Sequence, residues 1–169
     1  TEFADAASVK VSAVERHYSV VKDHRALDAL IEQLWQVENI GIALTNSSAP
    51  GAGQQQSPRD EHGARGIALS SSAGKSAFID LDNFEGGREA AMSSLKELLT
   101  NGLLEKSVHD LKRTTALLQP LGIELDGVSD DTLIAAYVLD PTRSKYELSD
   151  LARETLNLES GGPPYDGWS

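Results

Sequence analysis

Two acid pairs and one acid-imidazole trio in this 169-residue chain bring metal-binding side chains close together in sequence. Asp80 and Asp82 lie on one side of a strand end, because a strand alternates its side chains with period two. Such a pair can hold a divalent cation between hard oxygen ligands, and more often it simply ends a strand in water. Asp130 and Asp131 precede Thr132 at a helix start, where capping and the helix dipole account for both. Asp60, Glu61 and His62 offer two carboxylates and an imidazole, but they fall in a stretch with no periodic neighbours to hold a geometry. His17, His24 and His109 are scattered, without the i, i+4 spacing of a helical metal pair. Gly74, Lys75 and Ser76 suggest a phosphate loop, yet Leu69 stands where that motif needs glycine, and a strand follows where it needs a helix. The chain has no Cys, and no Gly-x-Ser-x-Gly elbow presents a serine nucleophile.

The elements that must carry these groups follow from periodicity. Tyr18 to Val21 reads as a strand, and Asp23 caps a helix whose apolar residues Leu27, Leu30, Ile31, Leu34 and Trp35 recur at i, i+3, i+4, i+7 and i+8. Asn39 to Thr45 is apolar enough to predict a central strand with no wet face. The segment 45–64 is rich in Gly, Pro, Ser and Gln and predicts a long mobile loop. Gly66 to Ser70 and Ser76 to Leu81 form a hairpin, and Met92, Leu95, Leu98 and Leu99 mark a helix that Asn101 and Gly102 end as a left-handed cap. A short strand over Leu104 to His109 precedes helices over Leu111 to Leu121, Thr132 to Leu139 and Leu148 to Leu156, with Pro141 stopping the second of these. A weak period-two pattern also marks Val9 to Val14 as a short strand. Strands and helices in this order pack as a mixed sheet with helices on its faces.

Composition sets outer bounds. At 169 residues, 40% apolar and 24% charged, the chain suits one soluble domain at the usual ~100 to 200 residues each. Against 26 Asp and Glu stand 15 Lys and Arg, and a net charge of −11 repels phosphate and disfavours independent nucleic-acid binding through a basic patch. The absence of Cys removes disulfides and thiolate metal sites and suits a reducing cytoplasm. No apolar run approaches the ~18 to 20 residues that span a bilayer. The start at Thr1 and the turn-rich stretch from Glu159 to Ser169 give both ends the look of cuts from a longer protein. The expected organisation is an N-terminal segment 1–17, a domain 18–157 and a flexible tail 158–169, with no sign of self-association and hence a monomer.

From Lys106 through Asp110-Leu-Lys-Arg-Thr114, an apolar helix, Gly122-Ile-Glu-Leu-Asp-Gly127, Asp131-Thr132 and a helix ending before Pro141, the chain resembles the second-motif region of the 3′-5′ exonuclease domain of bacterial DNA polymerase I, a family A polymerase. The helix beginning Leu148-Ser-Asp-Leu-Ala extends the likeness, as do the first helix, the strand after it and the hairpin, so that it covers about residues 18 to 157. The resemblance implies an α/β ribonuclease-H-like (DnaQ-like) exonuclease fold, a mixed sheet flanked by helices. It also implies a place in DNA replication and repair beside the polymerase and 5′ nuclease domains of a parent chain, with DNA reached through the parent polymerase.

The family's chemistry uses four acids that hold two divalent metals for phosphodiester cleavage. Carried over residue by residue, its Asp-x-Glu motif falls on Leu44-Thr45-Asn46, and its second-motif aspartate on Thr114, with Asp110 at the preceding Asn position. Its third motif lies downstream of Ser169. Leu44, Asn46 and Thr114 carry no charge, so the resemblance implies a degenerate domain, with no bound Mg²⁺ or Mn²⁺ and no exonuclease activity, serving as a spacer beside the polymerase. Asp110 and Asp131 remain as weak metal candidates. The alternatives are an active exonuclease of the wider Asp-Glu-Asp-Asp superfamily, such as a ribonuclease D relative with a displaced Mg²⁺ or Mn²⁺ site, and an unrelated interaction module.

Overall fold

A computed structural model describes residues 16–45 and 63–158. The strand proposed over Val9 to Val14, the trio Asp60, Glu61 and His62, Asn46 and nearly all of the predicted loop lie outside the described residues, as does the tail beyond Leu158.

Six strands form one sheet: β1 (His17–Val21), β2 (Asn39–Thr45), β3 (Gly66–Ser72), β4 (Lys75–Asp80), β5 (Glu105–Val108) and β6 (Val128–Asp131), in the order β1-β4-β3-β2-β5-β6. β2, β3 and β4 are antiparallel neighbours, while β1 on β4, β5 on β2 and β6 on β5 are parallel. The helices are α1 (His24–Leu34), α2 (Gly87–Thr100), α3 (Leu111–Leu118), α4 (Thr132–Leu139) and α5 (Leu148–Leu156), and a 3₁₀ turn over Gln119–Leu121 prolongs α3. The mixed sheet flanked by helices is the expected fold class.

Local chemistry explains the elements that position the site. Asp23 caps α1 by accepting the Ala26 amide at 2.8 Å, and Leu27 and Leu34 on its apolar stripe are fully buried. α2 packs on α1 and buries Ala91, Met92, Leu95, Leu98 and Leu99, so the two helices close the core over Ile40, Ile67 and Ile79. The β3–β4 hairpin turns through Ala73 and Gly74, and Gly74 takes the positive φ of 79° that such a tight turn requires.

The fold departs from the sequence expectations at four places. β2 does have a wetter side, since buried Ile40 and Ile42 alternate with half-buried Gly41 and exposed Ala43. Trp35, placed on the apolar stripe of the first helix, closes α1 as its C-cap and stays 37% exposed. Asn101 ends α2 in extended backbone rather than as a left-handed cap, because its side-chain oxygen accepts the amides of Leu103 at 2.8 Å and Leu104 at 3.2 Å. β6 has no sequence signal, since Val128-Ser-Asp-Asp has one apolar residue and no alternation. The predicted loop is tied at both ends: Thr45 belongs to β2 and accepts the Arg65 amide, while buried Ala64 donates to the Leu117 carbonyl at 2.9 Å.

Candidate functional site

Parallel pairing of β2, β5 and β6 brings their carboxyl ends to one edge of the sheet, where open α/β sheets bind ligands. Leu44 lies at the end of β2, Asp110 follows β5, and Asp131 ends β6, so the site positions proposed from sequence that fall in described residues share this edge. α3 and α4 both start here, and each presents amides without an intrahelical partner and a positive dipole end.

Asp131 answers both helices at once. One carboxylate oxygen accepts the amides of Asp110 at 3.0 Å, Leu133 at 2.9 Å and Ile134 at 3.5 Å, and the other accepts that of Leu111 at 2.8 Å. Burial works against ionisation of this carboxyl, but the four amides, Leu111 and Asp110 foremost, outweigh it and hold its pKa below the ordinary 3.8. Its role as helix cap, expected from sequence, thus extends to a second helix. Asp110 caps α3 by accepting the Arg113 amide at 3.0 Å, from a backbone at φ 67° that Asp and Asn tolerate better than most residues.

Thr114, one turn into α3, is 5% exposed, and its hydroxyl donates to the Asp110 carbonyl at 2.9 Å. Leu44 pairs with Ile67 across the sheet and packs against the core. His109 meets the Thr132 hydroxyl through Nδ1 at 2.9 Å. Among the described residues, no three His, Asp or Glu side chains gather closely enough to share a metal ion.

The other sequence candidates have local employment. Asp80 accepts the amides of Asp82 and Asn83 and the Asn83 side chain, an Asx turn that ends β4. Asp82 pairs with Arg65 and Arg88, each at 2.6 Å. His24 stacks edge-on against Phe84. Lys75 is exposed at the hairpin.

Two features escaped sequence reasoning. Lys106 is wholly buried, and its ammonium donates to the carbonyls of Asn101 at 2.6 Å and Leu104 at 2.8 Å. Burial lowers its pKa, with Asp126 acting in the opposite sense. Gly127 leaves room for that amine, since a Cβ there would lie 2.5 Å from the Leu104 carbonyl oxygen and 3.1 Å from Lys106 Nζ. An open groove also runs beside β6, with Ser107, Leu111, Ser129, Asp130, Leu133 and Ile134 among the residues that line it. Of these, Ser107 donates to the Asn39 side chain at 3.0 Å and Ser129 to Asp130 at 3.0 Å.

Comparison with known proteins places this geometry. Residues 62–158, more than half of the chain, match the family model for the ribonuclease H-like domain of DNA polymerase I. The chain is 28% identical over 150 residues to DNA polymerase I of Pseudomonas aeruginosa, covering 84% of this chain and 16% of the relative. It is 29% identical over 96 residues to DNA polymerase I of Mycobacterium bovis, covering 57% of this chain and 10% of the relative. It therefore spans a small part of the curated relatives it matches. In fold, it superimposes on the POL domain of Pol1 from M. smegmatis, solved with DNA primer-template and dNTP, with a TM-score of 0.65 and 24% identity, over 85% of this chain and 23% of that one. Escherichia coli ribonuclease D, an exoribonuclease, gives a TM-score of 0.61 at 16% identity, over 86% of this chain and 35% of that one. The chain belongs to the DNA polymerase I ribonuclease H-like domain family.

Proposed function

We propose that this exonuclease-like domain has lost metal-supported phosphodiester cleavage and acts as a structural neighbour to the polymerase and 5′ nuclease domains of a DNA polymerase I parent in the cytoplasm. The observation that carries the proposal is Thr114. At the second-motif position, where the family's chemistry needs a carboxylate, stands a buried neutral hydroxyl already bonded to the Asp110 carbonyl. The residues present do not fit two divalent metals: Leu44 is apolar, Asn46 is by type a neutral amide, and both oxygens of Asp131 accept backbone amides. A two-metal mechanism needs anionic oxygens to bind its ions, and Leu44, Asn46 and Thr114 supply none.

The test is incubation of the chain with an end-labelled single-stranded DNA, and separately with RNA, in Mg²⁺ and in Mn²⁺. No shortening is expected. Metal-dependent digestion lost in Asp110→Asn or Asp131→Asn would establish a displaced metal site and overturn the proposal. A titration of Mg²⁺ against melting temperature gives an independent readout, since a resident metal raises it through mass action and none of that rise is expected here.

A further inference from the structure

Two short connections meet around the Lys106 ammonium, and each ends in glycine. Asn101-Gly102 follows α2, and Asp126-Gly127 leads into β6. A Cβ on Gly102 would lie 2.8 Å from Asp126 Oδ2, and one on Gly127 would lie 2.9 Å from the Asn101 carbonyl oxygen and 3.1 Å from Lys106 Nζ. Each pair sets a side-chain carbonyl carbon ahead of a backbone nitrogen that no neighbouring Cβ shields, so the nitrogen can attack that carbon and close a five-membered imide ring. An attack within one molecule takes its rate from how the fold holds the reacting atoms. The two pairs are held in opposite ways. Asn101 Oδ1 is pinned by the amides of Leu103 at 2.8 Å and Leu104 at 3.2 Å, and a backbone at ψ 115° turns the Gly102 nitrogen away from the side of Cα that bears Cβ. Asp126 Oδ1 instead accepts the amide of Gly127 itself at 2.7 Å, which rests that nitrogen against the carboxyl group it would attack. The Asp126 side chain is exposed, so water can leave and return.

We propose that Asp126-Gly127 is a site of spontaneous covalent rearrangement, through a cyclic imide to isoaspartate, and that the fold shields Asn101-Gly102 from the same chemistry. The Gly127 nitrogen bonds to Cγ of the undissociated Asp126 carboxyl, the Cγ–OH bond breaks, and the hydroxyl leaves with the amide proton as water. Water then adds to one of the two imide carbonyls. Addition at Cγ restores aspartate, whereas addition at the main-chain carbon leaves isoaspartate, whose backbone runs through Cβ and Cγ and is one atom longer. That extra atom displaces the Gly127 carbonyl, which accepts the Lys106 amide at 2.9 Å, and with it the first pair of β6, Val128 opposite Lys106.

The experiment incubates the folded chain, and the chain unfolded in urea, in oxygen-labelled water at neutral pH. Peptide mapping by mass spectrometry follows the label at positions 101 and 126, and electron-transfer fragmentation separates isoaspartate from aspartate. In urea, Asn101 is expected to react well ahead of Asp126, because an amide gives up its leaving group more readily than a carboxyl in an open chain. Folding is expected to reverse that order: uptake at Asn101 falls at least about tenfold, while uptake at Asp126 is retained and isoaspartate accumulates there. Asp126→Glu, which would have to close a six-membered ring, should take up no label at that position. Uptake at Asp126 that falls on folding as steeply as uptake at Asn101 overturns the proposal, and so does a folded chain in which Asn101 still reacts first. Label that persists at position 126 in Asp126→Glu reports simple carboxyl exchange and overturns it as well.

Discussion

The Asp131 carboxylate accepts the Leu111 amide at 2.8 Å, so the residue that begins α4 also completes the start of α3, 20 positions earlier in the chain. Asp131→Ala removes acceptors for two helix starts and should lower stability by about 1 to 3 kcal/mol, read from urea unfolding. Asp131→Asn should cost less, because one amide oxygen can still accept. The folded pKa lies below the ordinary 3.8, so the ionised group contributes stability that is fully present above that value and is lost as pH falls through the folded pKa. The stability gap between wild type and Asp131→Ala should therefore narrow as pH falls below 3.8.

Lys106 works in the opposite direction. Its buried ammonium has a lowered pKa, so between that folded value and the ordinary 10.5 the unfolded chain binds more protons and this group's contribution to stability rises with pH. Lys106→Met leaves the Asn101 and Leu104 carbonyls without their donor and should cost about 1 to 3 kcal/mol at pH 7, a penalty expected to grow as pH approaches 10.5. Gly127→Ala attacks the same seat from the other side, because at φ 74° a Cβ collides with the Leu104 carbonyl. It should destabilise by at least about 1 kcal/mol in the same assay.

Thr114→Asp restores the family's acid at its own position without restoring any partner for it. The site is 5% exposed and lies one turn from Asp110, so the new carboxylate is both desolvated and near a like charge. A loss of roughly 2 to 4 kcal/mol is expected at pH 7, shrinking at pH 4 as the group protonates. Thr114→Val, which loses only the bond to Asp110, should cost about 1 kcal/mol. Thermal melts at the two pH values separate these outcomes.

Asp82 joins the β3 entry to the start of α2 through Arg65 and Arg88, both at 2.6 Å. Burial resists its ionisation, but the guanidinium groups of Arg88 and Arg65 outweigh that and keep its pKa low. Asp82→Asn should cost about 1 kcal/mol in dilute buffer, with a smaller difference at 1 M NaCl, where exposed pairs are screened.

Much of the fold was legible because its core elements bury one periodic stripe each, as Leu27 and Leu34 on α1 and Leu95 and Leu99 on α2 illustrate. β6 was not, because an edge strand with Ser129 and Asp130 exposed has no apolar alternation to show. Nor was the buried Lys106, whose side chain turns back onto carbonyls two and five residues before it, a bend that periodicity does not reveal. The sequence marks Asp131 as a cap for the helix that follows it, whereas its hold on Leu111 depends on β5 and β6 lying side by side. α4 illustrates the converse: its composition predicts an interior helix, and the described residues supply no interior for it.

The place of β1 has a consequence for the order of events in folding. Its sheet partner among the described residues is β4, with His17 opposite Lys75, whereas β3 reaches β4 through a two-residue turn. Local pairs close first because their loop entropy is small, so the hairpin forms early and β1 selects its register on a strand already in position. Weakening β1 should then quicken unfolding while leaving the refolding rate nearly untouched, which makes this edge strand the natural point at which the sheet begins to come apart.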